Sequence, residues 1–255
     1  MKKSFKKLVR AGLNRAGFDV VGLRHSPNRT RQTLLGLRSR PIRTVIDVGA
    51  NTGQFSREVS GLLPSAKFYC FEPLPDPFAA LSAWAETQLG RVLPFNLAIG
   101  EREGATEMFL HEDHTPSSSL LATTRLAEQY YPFKKRQKRV SVMQTTLDAA
   151  LAEVHDKLLP EILIKLDVQG YEDRVIAGGI RTFARASACI MEISLDTLYE
   201  GQAGFRHLLT MLDDMGYRYG GNLNQAYGED GHCIFLDAVF LKRAGENRVI
   251  PRARP

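Results

Sequence analysis

The sequence predicts an α/β fold in which βαβ units surround a mainly parallel sheet, and three observations carry that reading. From Thr44 onward, short apolar runs alternate with helix-like stretches, the pattern of buried strands joined by crossover helices. The first apolar run, Val45-Ile46-Asp47-Val48, breaks into a glycine-bearing turn from Gly49 to Gly53 ahead of a helical stretch, which is where open α/β sheets bind ligands. The 255 residues are 44% hydrophobic and 24% charged, with 13 Phe, 8 Tyr and one Trp. Such a composition supports a real core and excludes wholesale disorder or a fibrous repeat.

Residues 1–43 form a basic N-terminal arm with twelve Lys or Arg against one acid, Asp19, for a balance of +11, whereas the remaining 212 residues carry 22 bases and 27 acids, a balance of −5. Within the arm, Phe5, Leu8, Val9, Leu13 and Ala16 recur at helical spacing among Lys2, Lys3, Lys6, Lys7, Arg10 and Arg15, the signature of a short basic amphipathic helix. Two readings stand for residues 2–16. One is peripheral contact with an anionic membrane, where each base contributes about 1 kcal/mol; the other is a helix packed on the domain with a solvated outer face. Because the positive charge sits mostly in this arm, the distribution argues against nucleic acid as the partner.

The main domain is expected over 44–243, followed by a basic C-terminal tail over 244–255. Strands are expected at 44–48, 67–71, 92–98, 105–110, 140–145, 161–167, 187–194 and 234–242, and helices near 53–62, 76–89, 146–156, 171–178 and 204–216. Gly178-Gly179 and Gly216 close the last two helices, as glycine does just past a helix C-terminus. The long interruption at 111–139 contains HEDHTPSSS and then YYPFKKRQKR; a stretch of that length reads as a lid or a disordered loop. No apolar run approaches the ~18 residues that span a bilayer, and Arg15 and Asp19 interrupt the basic start before a signal-peptide core can form. Cys70, Cys189 and Cys233 lie far apart with no CxxC pair, which supports neither a disulfide framework nor a cysteine-rich zinc site. A cytoplasmic, reducing location is the expectation.

The turn after the first strand separates two kinds of cofactor. A dinucleotide fingerprint needs G-x-G-x-x-G to cradle a pyrophosphate, but this turn reads G-x-x-x-G with Asp47 two residues before its first glycine. S-adenosylmethionine has no phosphate and carries an ammonium and a sulfonium, so an acid at the strand end suits it better. Nineteen residues after Gly53, the strand FYCFEP ends in Glu72, placed to accept hydrogen bonds from ribose hydroxyls. Asp47, Gly49, Asn51, Gly53 and Glu72 are therefore the expected cofactor residues, with Asn96 and Ala98 of NLAIG lining an adenine pocket at the third strand.

The succession VIDVGANTGQFS, FEPLPD, NLAIG, SSSL, TTLD, IKLDVQGYEDRVIAGG, MEIS and LDAVFLK resembles the FkbM family of S-adenosylmethionine-dependent methyltransferases over about residues 44–243. The resemblance implies a class I Rossmann-like methyltransferase fold, a seven-stranded, mainly parallel sheet with helices on both faces and its last strand antiparallel. It further implies O-methyl transfer to a saccharide, a glycan precursor or another hydroxyl-bearing molecule. The SSSL stretch resembles the family segment that closes beside the cofactor, which makes Ser118 a cofactor contact.

A second chemical centre lies at Ile164-Lys165-Leu166-Asp167-Val168-Gln169-Gly170. Alternation puts Lys165 and Asp167 on one face of a strand that ends above the same sheet edge, and Gly170 permits a tight turn into the next helix. Many relatives carry a glutamate at the position of Gln169; an amide cannot accept a proton at neutral pH, so Asp167 is the expected general base, with Lys165 orienting the acceptor or tuning Asp167. A structural Lys–Asp pair is the competing reading. Glu192, in Met191-Glu192-Ile193-Ser194, is the second candidate base or else a buried partner of Lys165. His111 and His114 have H-x-x-H spacing but no third placed ligand, so no metal is expected. Lys134, Lys135, Arg136, Lys138 and Arg139 read as a solvated face or as contacts to an acidic glycan. A nucleic-acid methyltransferase and a non-catalytic, membrane-associated cofactor-binding scaffold are the alternative functions.

Overall fold

The computed structural model describes residues 40–243 together with Gly12, Leu13 and Arg15, which are helical. Apart from those three, the expected amphipathic helix of the arm and the basic tail lie outside the described residues. Contacts divide the chain between Ser39 and Arg40, and all the strands belong to the second unit.

These strands are β1 (Thr44–Val48), β2 (Lys67–Phe71), β3 (Val92–Phe95), β4 (Ala98–Gly100), β5 (Gly104–His111), β6 (Gln137–Thr146), β7 (Ile162–Leu166), β8 (Ala188–Ser194), β9 (Tyr217–Tyr227) and β10 (Cys233–Lys242). The helices of the same unit are α1 (Gln54–Ser60), α2 (Pro75–Glu86), α3 (Arg125–Tyr130), α4 (Leu147–Ala150), α5 (Glu172–Ala177), α6 (Ile180–Arg185) and α7 (Phe205–Asp214). Seven strands form one sheet in the order β3-β2-β1-β7-β8-β10-β9. The pairs among β3, β2, β1, β7 and β8 are parallel, and β10 runs antiparallel to both its neighbours. This is the class I methyltransferase arrangement: two parallel halves meet at β1 and β7, and the last strand in sequence inserts reversed next to the edge. The meeting of the halves is also the topological switch point, where such sheets open a crevice beyond their carboxyl ends.

The central strands are legible because both their faces are covered, so they read as unbroken apolar runs. All five residues of β1 are buried, and Ile46, Phe71, Ile164, Met191 and Phe240 share one core cluster.

Four expectations need correction. The run 92–98 is two strands: β3 belongs to the large sheet, while β4 joins a separate three-stranded sheet in the order β4-β6-β5. The break falls at Asn96, whose side-chain amide donates to the carbonyls of Glu72 and Pro73 at 3.0 Å each. Strand β9 is absent from the sequence-based expectations because it is a polar edge strand, YRYGGNLNQAY, with irregular register against β10 and no alternation to read. The helix near 146–156 is only the single turn of α4, and the chain continues from there in turns and a short 3-10 helix, His155–Lys157.

The fourth correction concerns 111–139, which is not a disordered loop but an ordered, hydrogen-bonded segment. Ser119 pairs with Phe109 of β5 and Thr123 with Tyr199. The Thr124 hydroxyl accepts the Ala127 N–H at 3.2 Å to cap α3, and the Thr124 and Glu200 N–H groups bond Leu198 and Ala122 carbonyls at 2.9 and 2.8 Å. Residues 111–136 thus form a cap that is pinned to the segment 195–203 after β8. Among the described residues, no helix is long and apolar enough to cross a membrane.

One buried hydroxyl anchors the β9 end of the sheet. Tyr217 is fully buried, and its hydroxyl lies 2.7 Å from the Phe183 carbonyl oxygen and 3.1 Å from that of Ala186. Tyr217→Phe removes this donor from the Ala186 carbonyl, while the Phe183 carbonyl still accepts the Ala186 N–H and Lys242 Nζ, an expected loss of about 1–3 kcal/mol. A lowered urea midpoint with an unchanged m-value is the measurement that checks it.

Candidate active site

The glycine turn is shaped by close approach to its neighbour. Gly49 has φ +76, and a Cβ at this position would lie 1.9 Å from the Asp167 carbonyl oxygen; glycine alone lets the ends of β1 and β7 come this close. Asn51 adopts a left-handed φ of 47, a conformation asparagine tolerates, and its N–H donates to Glu72 Oε2 at 2.8 Å. Glu72 Oε1 accepts the Leu74 N–H at 2.9 Å, so this carboxylate ties the two strand ends together. Burial raises its pKa from 4.5 to about 7, against the two N–H bonds that favour the charge.

Asp47 is wholly buried. The Ser56 hydroxyl donates to its Oδ2 at 2.6 Å, while Oδ1 has no hydrogen-bond partner and faces Lys165 Nζ at 3.7 Å. Burial pushes its pKa up, with Lys165 and Ser56 opposing. The same Ser56 oxygen is 3.4 Å from the sulfur of buried Cys70. Two acids at adjacent strand ends, with no Lys or Arg between Gly49 and Gly53, fit a cation-bearing nucleoside that lacks phosphate. Asn96 and Ala98 stand behind Glu72: the Asn96 amide is engaged by backbone, and Ala98 packs with Leu74, Met108 and Val142.

At the end of β7, Lys165 Nζ donates to Asp167 Oδ2 at 3.0 Å and to the Gly49 carbonyl at 3.3 Å. Burial works against this ammonium, but the Asp167 and Asp47 carboxylates outweigh it and raise its pKa, so Lys165 stays charged. Gln169, at a left-handed φ of 56, carries the feature that sequence reasoning missed. Its amide nitrogen donates one hydrogen to Asp167 Oδ1 at 2.7 Å and the other to Glu192 Oε1 at 2.6 Å. Glu192 is thus joined to Asp167 through an amide, and the burial that surrounds it, together with the charges of Asp167 and Asp237, holds its pKa well above the usual range. The Gln169 amide oxygen accepts from the Tyr199 hydroxyl at 2.5 Å, which also lies 3.0 Å from the Ser117 carbonyl. Lys134 Nζ donates to the Tyr199 oxygen at 2.7 Å. Buried Glu172 shapes the same turn by accepting the Val168 and Gly170 N–H groups at 3.3 and 3.1 Å.

The cap reaches both turns. Asn51 Nδ2 donates to the Thr115 hydroxyl at 3.1 Å, and the Ser119 hydroxyl donates to the Gln169 carbonyl at 2.7 Å. Ser118 accepts the His111 N–H at 3.1 Å and is buried, so it fixes the base of the cap. His114 bonds the Ser117 hydroxyl at 2.8 Å and packs on Phe133, 5.0 Å between centroids. Among the described residues, no group of three or more His, Cys, Asp or Glu is placed to hold a metal ion. The basic run 134–139 divides: Lys134 is buried under Tyr131 and Tyr199, while Arg136, Lys138 and Arg139 pair with Asp113, Glu112 and Glu107. A lysine ending the aromatic run Tyr130–Phe133 was the available signal for its burial; Tyr199 lies in a stretch with no periodicity.

A family model described as the methyltransferase FkbM domain matches residues 47–219. The 2-O-methyltransferase NoeI of Sinorhizobium fredii is 30% identical over 190 residues, covering 72% of this chain and 76% of that protein. The 31-O-demethyl-FK506 methyltransferase FkbM of Streptomyces tacrolimicus is 30% identical over 162 residues, 56% of this chain and 62% of that protein. Among solved structures, the 1,6-didemethyltoxoflavin-N1-methyltransferase of Burkholderia thailandensis aligns over 95% of this chain and 90% of that one, with a TM-score of 0.46 and 10% identity.

Glu72 gives the site a pH signature. Its folded pKa of about 7 lies above the ordinary 4.5, so the folded protein holds this proton more tightly than the unfolded chain does. The stability it contributes is full below pH 4.5 and is lost as pH rises through about 7. Relative to Glu72→Gln, which cannot titrate, the wild-type protein is expected to lose about 1–3 kcal/mol across that window. Urea unfolding of both proteins at a series of pH values checks it.

Proposed function

Because the chain belongs to the FkbM family of methyltransferases, we propose that it is an S-adenosylmethionine-dependent O-methyltransferase acting on a hydroxyl of a saccharide, a glycan precursor or a similar small molecule. The observation that carries this reading is the pair of carboxylates, Asp167 and Glu192, bridged by Gln169 at the carboxyl edge of the sheet, directly across the Gly49 contact from the acidic cofactor turn. Both curated relatives are named for methylation at an oxygen, which supports oxygen as the acceptor atom here.

Asp47, Glu72 and the turn from Gly49 to Gly53 would hold the cofactor, with Glu72 accepting from ribose hydroxyls and the buried charge of Asp47 favouring a cation. When bound, S-adenosylmethionine supplies an electrophilic methyl group. The protein's part is to orient the acceptor oxygen in line and to take its proton; orientation is the larger share, and a positioned base adds roughly 10²- to 10⁴-fold. Asp167 is the base. Its side chain keeps 27% of its surface accessible, and Lys165 fixes one oxygen through a charge-assisted bond. Glu192, biased toward its protonated form, offers a hydrogen-bond donor to a second oxygen of the acceptor. The pairing of Arg136, Lys138 and Arg139 with acids favours an uncharged acceptor over a polyanion.

Asp167→Asn is expected to lower turnover roughly 10²- to 10⁴-fold while leaving cofactor affinity unchanged, whereas Asp47→Ala removes cofactor binding. Calorimetric titration with S-adenosylmethionine, with NAD as control, and transfer of labelled methyl to a panel of glycans measure the two effects. Equal loss of binding in both variants would sink this division of roles.

A further inference from the structure

Lys134 and Tyr199 come from the cap and from the segment after β8, and neither belongs to the methyl-transfer chemistry described above. Both are nonetheless buried, at 3% and 0% exposure, and both point into it. Lys134 Nζ bonds the Tyr199 oxygen, the Tyr199 hydroxyl bonds the Gln169 amide oxygen, and the Gln169 nitrogen bonds Asp167 and Glu192. The direction of the chain is fixed by chemistry. An ammonium can only donate, so the Tyr199 oxygen must accept from it and turn its own hydrogen away. The hydrogen then goes to the Gln169 carbonyl oxygen or to Ser117, and the former orients the amide with both N–H groups toward the carboxylates. An amide whose oxygen accepts a strong hydrogen bond is a stronger donor at nitrogen, because hydrogen bonds in series polarise one another.

We propose that Lys134 and Tyr199 are positioning residues for methyl transfer, acting in series through the Gln169 amide to hold Asp167 and Glu192 as a bridged pair. The inference rests on the assignment of those two carboxylates to the reaction. It gives Gln169 a function that a glutamate could not perform: a carboxylate there would face two others and could donate to neither when ionised. It also explains why a lysine is buried without an acidic partner at hydrogen-bond distance. Burial lowers the Lys134 pKa to about 8, with the charges of Glu192 and Asp167 opposing, so at neutral pH it remains the donor that the chain requires.

The test reads the carboxylates directly and needs neither cofactor nor acceptor. In protein carrying ¹³C at glutamate carboxyls, the Glu192 resonance is assigned by its loss in Glu192→Gln and titrated. Groups facing Glu192 are Asp167 and Lys165 from the β7 end, Asp237 from β10, Tyr131 and Lys134 from the cap, and Tyr199. Tyr199→Phe removes only a hydroxyl and changes no charge. It is expected to move the Glu192 midpoint upward by about one unit, because the amide loses its alignment. Lys134→Arg keeps donor and charge and leaves the midpoint at its wild-type value, whereas Lys134→Met raises it. The rise from Lys134→Met is smaller when Tyr199→Phe is already present, as groups in series are not additive. An unmoved midpoint in folded Tyr199→Phe overturns the proposal, as does a Lys134→Met shift of equal size in both backgrounds, which is the signature of a direct charge effect. If Tyr199→Phe does not fold, Lys134→Gln takes its place: it keeps a donor without the charge, and a midpoint that stays at the wild-type value supports the relay, whereas a midpoint equal to that of Lys134→Met shows a direct charge effect and overturns it. Cofactor titration of the wild-type protein stands apart, so failure of the methyltransferase reading and failure of the relay are told apart.

Discussion

Everything at the carboxyl edge of the sheet depends on one ammonium group. Lys165 stands opposite Asp47 in the parallel register of β1 and β7, and its charge lies between a carboxylate with no access to water and one partly open to it. A buried carboxylate without a cation is costly, and removing one partner of such a pair typically costs about 3–5 kcal/mol. The arrangement therefore sets three things at once: it keeps Asp47 in the core, it fixes one oxygen of Asp167, and through the Gly49 carbonyl it holds the two turns against each other. The ends of β1 and β7 thus share a single cation.

The cap extends this coupling. It is pinned to the Gly49–Gly53 turn through Thr115 and Asn51, to the turn after β7 through Ser119 and Gln169, and to the segment after β8 through Thr123 and Tyr199. A segment of this length could have been a lid that closes over substrate. Its Ser117, Ser118 and Ser119 are buried and its backbone is paired with β5 and with the segment after β8.

Much of this is legible in the sequence, for a physical reason. Strands covered on both faces must be continuously apolar, and a turn between them that approaches a neighbouring backbone must contain glycine. β1, β2, β7 and β8, the turn at Gly49, and the placement of Asp47, Glu72, Lys165, Asp167 and Glu192 at one edge all follow from those two constraints. What is not legible depends on partners that are distant in sequence. Strand β9 is stabilised by pairing with β10 and has little pattern of its own. Lys134 reads as one of five surface bases until its neighbours Tyr131 and Tyr199 are known. Gln169 reads as the loss of a base when its side chain is considered without the two carboxylates that its amide joins.

The thiol of Cys70 is placed in a demanding position. It lies in the strand beside β1, within contact of the Ser56 hydroxyl that also bonds Asp47. A protein that houses an alkylating cofactor exposes its own nucleophiles to that reagent, and sulfur is the softest of them. The reactive form is the thiolate. Here burial, and after it the negative charge of Asp47, hold the thiol far above its usual range. The buried acid of β1 therefore also helps keep the adjacent cysteine protonated, so this sulfur stays in its unreactive form.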